Sequence, residues 1–299
     1  MEDGLDIIID KAHDGMLLRD YIKGVLGISH SLLSSLKSQS DGIMLNGSHV
    51  TVRAVLHVGD LLSVKTDDST SSDIEPVGMP LDIIYEDDGI LAVSKPPSMP
   101  THPSIKHRTD TLANAVMFYL GKTNENAVFR AITRLDKDTS GVVLLAKNAY
   151  TAAILTGMMQ EGRISKQYVA IVRGTPPEHF TVEKNIKRVA ESIITREVCS
   201  ADEGRYARTE FIRLSYGGEL SLVRAIPYTG RTHQIRVHLA SEGFPIVGDS
   251  LYGDNCSLIS RHALHAERLI LNFPDGRILT LTSPIPEDMS LLADQYVNT

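Results

Sequence analysis

Three stretches of this sequence combine residue types that can do chemistry. The first is Arg134-Leu135-Asp136-Lys137-Asp138-Thr139-Ser140-Gly141. Asp136, Asp138, Ser140 and Gly141 fall on positions 1, 3, 5 and 6 of a calcium loop, but position 12 is Lys147, a cation where that site needs a bidentate Glu. The segment also runs straight into Val142-Val143-Leu144-Leu145-Ala146, which reads as a buried strand. Asp138 to Gly141 suit a turn entering that strand. Asp136, beside Arg134, is left over by that reading and is the candidate for chemistry.

The second stretch runs from Tyr228 to Leu239 and includes Gly230, Arg231, Thr232, His233, Arg236 and His238. Gly230 before Thr232 suggests a helix entry with Thr232 as cap, and Ile235 and Leu239 then share a buried face. Arg231 at a helix start opposes the macrodipole and calls for an anionic partner elsewhere. His233 and His238 are five apart and share no face. His262 and His265 are three apart, and no Glu or His completes a zinc set. These are read as ordinary polar or core histidines. The third stretch is Lys166 to Gly174, where alternation puts Tyr168, Ala170 and Val172 on one side of a strand. Phosphate-loop, dinucleotide-binding and nucleophile-elbow signatures are missing, so no nucleotide cofactor is indicated.

These segments need elements to hold them. With 299 residues, 42% apolar and 22% charged, the chain can bury a sizeable core as one large domain or two unequal ones. It has no apolar run of membrane-helix length, its N-terminus is acidic rather than signal-like, and its two cysteines make no framework. A cytoplasmic protein is expected. Net charge is −7, yet residues 130–236 hold 17 Lys/Arg against 11 Asp/Glu, the one basic window. Residues 1–75 hold 6 against 12. A polyanion responds to the local field, so an acidic protein with a basic stripe still suits RNA.

Residues 66–80 are Ser-rich and acidic, too polar to bury, and are expected to be extended or mobile. The boundaries that follow are a small domain at 1–66, a flexible linker at 67–80 and a larger domain at 81–299. The small unit reads as a helix from Leu17 to Leu26 stopped by Gly27, and a second helix capped by Ser29 or Ser31. A hairpin at Asn46-Gly47 and a strand ending at Val64 complete it. The larger unit opens with a hairpin around Asp88-Gly89. Its strands are predicted at Gly141–Ala146, Lys166–Val172, Phe211–Leu214, Leu220–Ile226 and Ile278–Leu281, and its helices at Thr111–Leu120, Tyr150–Glu161 and Thr232–Glu242. Runs of strands with few helices between them predict an α+β domain on a mostly antiparallel, mixed sheet with flanking helices.

Taken together, the motifs resemble the RluA/RluD-type family of pseudouridine synthases. The resemblance runs from about Leu81 to Phe273. It rests on Leu91-Ala92-Val93-Ser94-Lys95-Pro96 with His102-Pro103, then the Arg134 to Gly141 motif, Lys166 to Gly174, Thr229 to His238, Pro245 to Gly253, and Leu264-His265-Ala266. The N-terminal unit resembles the small S4-like RNA-binding α/β domain that often precedes this catalytic domain. The resemblance implies Asp136 as catalytic aspartate, Arg231 as its partner, Tyr168 packed on the target uracil, and Arg134 in the stack vacated by the flipped base. The chemistry agrees: an ionised carboxylate can act as nucleophile or stabilise a sugar cation, and a guanidinium supplies its counter-charge. A uridine in structured RNA must be extruded to be reached. Tyr168 can stack on the free base and help remove the carbon-5 proton. Every atom of the base is retained, so neither cofactor nor metal is required.

Three departures stand out. Thr133 occupies the position before Arg-Leu-Asp where the family usually has His, and Ser98 stands where Gly is common. The first RNA-facing helix offers His30 and Lys37 rather than a basic cluster. The expected function is isomerisation of specific uridines in RNA, ribosomal or transfer, with large-subunit ribosomal RNA favoured, by a monomer without a membrane partner. The alternative is a catalytically silent RNA-binding or ribosome-assembly factor, against which Asp136, Tyr168 and Arg231 argue.

Overall fold

The computed structural model describes residues 4–26, 28, 30–65, 74–122, 127–190, 194–253 and 257–297. The first unit comprises strand β1 (Gly4–Ile8), helices α1 (Leu18–Gly24) and α2 (His30–Ser38), and strands β2 (Ile43–Leu45), β3 (Ser48–His49) and β4 (Leu61–Lys65). Its sheet runs β1-β4-β2-β3 with antiparallel neighbours throughout. Asn46 and Gly47 take φ of 52° and 77°, the left-handed pair that a two-residue hairpin turn demands. Leu18, Tyr21, Ile22, Leu33 and Leu36 pack on Ile43, Leu62 and Val64, so this unit has a core of its own. The proposed helix stop Gly27 and cap Ser29, and the side chains of His30 and Ser31, lie outside the described residues, while the Ser31 backbone already lies within α2.

The second unit comprises β5 (Asp82–Glu86), β6 (Ile90–Lys95), α3 (Leu112–Leu120), β7 (Ser140–Ala146), α4 (Ala149–Gln160) and β8 (Ile164–Arg173). It continues with β9 (His179–Glu183), β10 (Asn185–Arg188), β11 (Arg196–Cys199), β12 (Arg208–Gly217), β13 (Leu220–Pro227) and α5 (Gln234–Ser241). Strands β14 (Leu264–Asn272) and β15 (Ile278–Thr282) and helix α6 (Glu287–Tyr296) close it. Nine of these strands form one sheet in the order β5-β6-β7-β14-β8-β13-β12-β9, with β15 joined to β14. Among the described residues, only β7 and β14 pair in parallel. The domain is therefore α+β on a mixed, mostly antiparallel sheet.

Alternation explains why the centre of the sheet is covered twice. Leu91, Val93, Val143 and Leu145 face α3, whereas Ala92, Val142 and Leu144 face α4. All seven residues of β7 are buried. Helix α3 starts at a reciprocal cap between Thr111 and Asn114, and α4 starts where Asn148 accepts from the Thr151 N–H. The expected linker at 67–80 is described from Ile74 onward, and there it is not a free tether. Asn114 on α3 donates to Glu75 O and accepts from Val77 N–H, while Ile74 packs beside α3.

One irregularity positions the site. Strand β14 pairs with β7 only at His265↔Ser140 and Ala266↔Gly141, and from Arg268 onward its partner on that side is β15. Gly141 has φ of 114°, and a Cβ there would sit 2.2 Å from the Ala266 carbonyl oxygen. Only a glycine permits that approach. A single strand therefore separates β7, which follows Asp136, from β8, which carries Tyr168.

Candidate active site

The Asp136 loop is built by backbone ties. Residues 130–133 run back along the end of β7: Ala146 N–H reaches Arg130 O, and Ile132 and Thr133 N–H reach Leu144 O. Thr133 Oγ1 accepts the Leu144 N–H at 2.9 Å, so the residue that departs from the family pattern serves as a backbone clasp. Beyond it, Thr101 Oγ1 donates to Leu135 O at 2.9 Å and accepts from Leu135 N–H. Arg261 Nη1 donates to Asp138 O at 3.1 Å, and Arg261 is itself forked by Asp288 at the start of α6 (2.7 and 2.9 Å). Thr139 Oγ1 meets His262 Nε2 at 2.7 Å.

Lys95 completes the loop's support. It is fully buried, and its three ammonium hydrogens have three acceptors: Pro96 O and Met99 O at 2.8 Å and Lys137 O at 3.0 Å. Burial pushes its amine down to about 7, against the opposing pull of the Asp138 charge. The 96–99 turn under this clamp keeps a glycine-like backbone, because Ser98 has φ of 61°. Ser98 therefore holds a left-handed backbone that strains a residue with a side chain.

Asp136 itself faces a cavity of about 620 Å³, within the range that holds a small ligand. Its side chain is 26% exposed. The cation against it is Arg236, whose Nη1 donates to Asp136 Oδ2 at 3.2 Å. This corrects the expectation that Arg231 is the partner. Helix α5 begins at Gln234, not Thr232, after His233 as cap with φ of 57°. Arg231 therefore lies in the preceding turn, where its Nε donates to Tyr206 O at 2.9 Å and Gln234 Oε1 accepts its N–H. It lines the same cavity without an ion pair to Asp136.

Arg236 is a bridge between two carboxylates. Its Nε and Nη2 fork onto Asp249, both at 2.7 Å, while Nη1 reaches Asp136. Arg236 is 5% exposed and Asp249 not at all. Burial would push the Asp249 carboxyl up, but the fork and charge of Arg236, with the Leu251 N–H, hold it below the ordinary range. His233 adds a second contact, its Nε2 3.6 Å from Asp136 Oδ2. Its Nδ1 sits 2.8 Å from Tyr252 Oη, which accepts from the Arg196 N–H. Arg236, Asp249 and Tyr252 were not singled out from sequence, and His233 was read as an ordinary polar or core histidine. The burial that makes Arg236 demand an anion is visible only in the structure, where Gln234 to Leu239 are all buried.

Tyr168 and Arg134 both line the cavity. Tyr168 is partly buried and packs against two core clusters, whereas Arg134 is exposed. Burial first, and then the Asp136 charge, push the Tyr168 phenol above its ordinary range. Lys166 lines the same wall, its amine pushed down by burial. Among the described residues, no group of three or more His, Cys, Asp or Glu could hold a metal ion. No helix among them is long and apolar enough to cross a membrane.

This loop, cavity and α5 fall in a region shared with known proteins: the family described as RNA pseudouridylate synthase matches residues 89–241. The chain belongs to that family. An uncharacterized RNA pseudouridine synthase of Bacillus subtilis, YjbO, is 38% identical over 93% of this chain and 98% of its own. Ribosomal large subunit pseudouridine synthase D of Xanthomonas campestris is 34% identical over 88% of this chain and 83% of its own. Among solved structures, human RNA pseudouridylate synthase domain containing 1 superposes with a TM-score of 0.58. It is 27% identical and covers 70% of this chain and 86% of its own. This RNA pseudouridine synthase family member is thus placed among isomerases that act on RNA.

Proposed function

We propose that this chain converts uridine to pseudouridine in large-subunit ribosomal RNA, with Asp136 as the reacting carboxylate. The observation that carries this is the Asp136 carboxylate, aimed into a cavity beside Tyr168 and held from behind by Arg236. The reaction breaks the bond between N1 and the sugar, turns the uracil, and joins carbon-5 to the same sugar carbon. Carbon-5 gives up its proton and N1 ends protonated, so atoms balance without a co-reactant. The carboxylate can attack or shield the electron-poor centre. Tyr168 supplies a flat wall for the free base. Its phenol is held protonated, which suits stacking and hydrogen-bond donation rather than a resident base.

Arg134, exposed at the cavity mouth, fills the stack that the extruded uridine leaves. Arg231, on the other wall, contacts the RNA backbone rather than the carboxylate. The ribosomal substrate is supported by relatives named ribosomal large subunit pseudouridine synthase D in Borreliella burgdorferi and Xanthomonas campestris. Residues 1–66 act as an S4-like RNA-binding domain, a role that fits their separate core. The enzyme works as a cytoplasmic monomer. The test is pseudouridine mapping of ribosomal RNA treated with purified protein. Wild type should create a new pseudouridine and Asp136→Ala should create none while remaining folded. Normal turnover by Asp136→Ala would remove Asp136 from the chemistry.

A further inference from the structure

One aromatic ring at the cavity rim does nothing for the core. Tyr228, directly after β13, lines the cavity beside Thr229, Gly230 and Arg231 and is 57% exposed. It is nevertheless held firmly. Its hydroxyl donates to Glu210 Oε2 at 2.7 Å, and Glu210 Oε1 is met by His179 Nε2 at 2.8 Å. The Arg208 guanidinium lies over the ring, 4.7 Å from its centroid, and the Tyr228 N–H reaches Arg208 O. Arg208 is steadied in turn by Glu183, 3.2 Å from its Nε. A second exposed ring joins the same network: Tyr206 donates to Glu183, and its carbonyl receives Arg231. Ordering an exposed side chain costs rotamer entropy, and here little apolar burial offsets it. A ring fixed flat, half in solvent and backed by a guanidinium is a preorganised surface for another flat ring.

Arg134 fills the gap inside the helical stack, but a flanking nucleotide that is itself unpaired has a base face outside that stack, within one nucleotide of the cavity. We propose that Tyr228, backed by Arg208, is the stacking seat for the unpaired base flanking the uridine that enters the cavity. The seat rests on the RNA-isomerase reading above and adds a second nucleotide subsite to it. Stacking on a π-face tolerates any base, so the seat selects an unpaired neighbour rather than a particular letter.

The test uses the full-length enzyme and a stem-loop transcript spanning the mapped uridine. Tyr228→Ala should raise KM about five- to a hundredfold, the loss expected for one base–aromatic stack, with kcat altered far less. Tyr228→Phe, which keeps the ring and loses the Glu210 bond, should stay within about threefold of wild type. Tyr216, 60% exposed on β12 with Arg213 at 4.6 Å, is the same kind of pair away from the cavity, and Tyr216→Ala should change nothing. An abasic residue in place of the flanking nucleotide should weaken wild type and leave Tyr228→Ala unaffected. An unchanged KM for Tyr228→Ala, a Tyr228→Phe defect equal to it, or an abasic penalty that persists without the ring would each overturn the seat. If wild type itself turns over no RNA, the isomerase reading fails separately. The dissociation constant of Asp136→Ala for a uridine-rich oligonucleotide, with and without Tyr228→Ala, then judges the seat alone.

Discussion

Replacing Arg236 with Met tests whether one buried guanidinium holds both the fold and the carboxylate. Arg236 makes three charge-assisted bonds, two of 2.7 Å to Asp249 and one of 3.2 Å to Asp136. Asp249 has no exposed surface, so Arg236→Met strands an anion. Removing one member of such a pair costs about 3–5 kcal/mol, a large share of a typical 5–15 kcal/mol stability. Urea unfolding at pH 7 should show that loss. Adding Asp249→Asn removes the stranded charge while keeping an oxygen for the Leu251 and Tyr252 N–H groups. The double variant should therefore recover at least about 1 kcal/mol. Turnover should fall roughly a hundredfold or more in Arg236→Met, because a loosened carboxylate loses its near-attack geometry. Arg231→Met, which gives up one bond to a carbonyl at a partly exposed site, should cost about 1 kcal/mol or less. If Arg231→Met unfolded as readily as Arg236→Met, or if Arg236→Met melted and turned over like wild type, the bridge would be misassigned.

Two further outcomes are expected. Gly141→Ala should destabilise by about 3 kcal/mol or more, read as a lowered melting temperature, since its Cβ would sit 2.2 Å from Ala266 O at a φ of 114°. Acid should also weaken the fold through His238. Thr209 Oγ1 receives the Gln234 amide and donates to His238 Nδ1, while Nε2 faces Lys184 O, so the buried ring is held neutral and its pKa lies at about 4, chiefly through burial. Between about pH 6.5 and 4 the unfolded chain binds the proton that the folded one refuses, so stability is full above that window and falls through it. His238→Gln should flatten that part of the urea-stability curve, and an unchanged slope would show that the ring does not titrate with folding.

Local rules made some elements legible. The Asn46-Gly47 turn, the buried run of β7 and the capped helices α3 and α4 follow from turn chemistry, hydrophobic length and side-chain caps. The strands that escaped are those whose pattern is set by distant neighbours. Strand β14 interrupts its apolar alternation with Glu267 and Arg268 at a register shift, and β9 to β11 are short and half polar. Helix α6 begins on Pro286 without a side-chain cap. The aspartate's loop could be named because its residues are contiguous. Its counter-ion could not, because Gln234 to Leu239 are all buried and an amphipathic face gives no way to tell Arg236 from its neighbours. The Asp249 that neutralises it is 13 residues away across a turn, a distance with no periodic signature.

The tie from Arg261 to Asp288 has a consequence for synthesis. Asp288 lies 152 residues after Asp136, and until it is made the Arg261 that holds the Asp138 carbonyl lacks its own anchor. At about 5–20 residues per second, a growing chain spends roughly 8–30 s with the carboxylate loop incompletely fastened. A truncation before α6 therefore removes the carboxylate that anchors Arg261, and with it one fastening of a loop that it never touches in sequence.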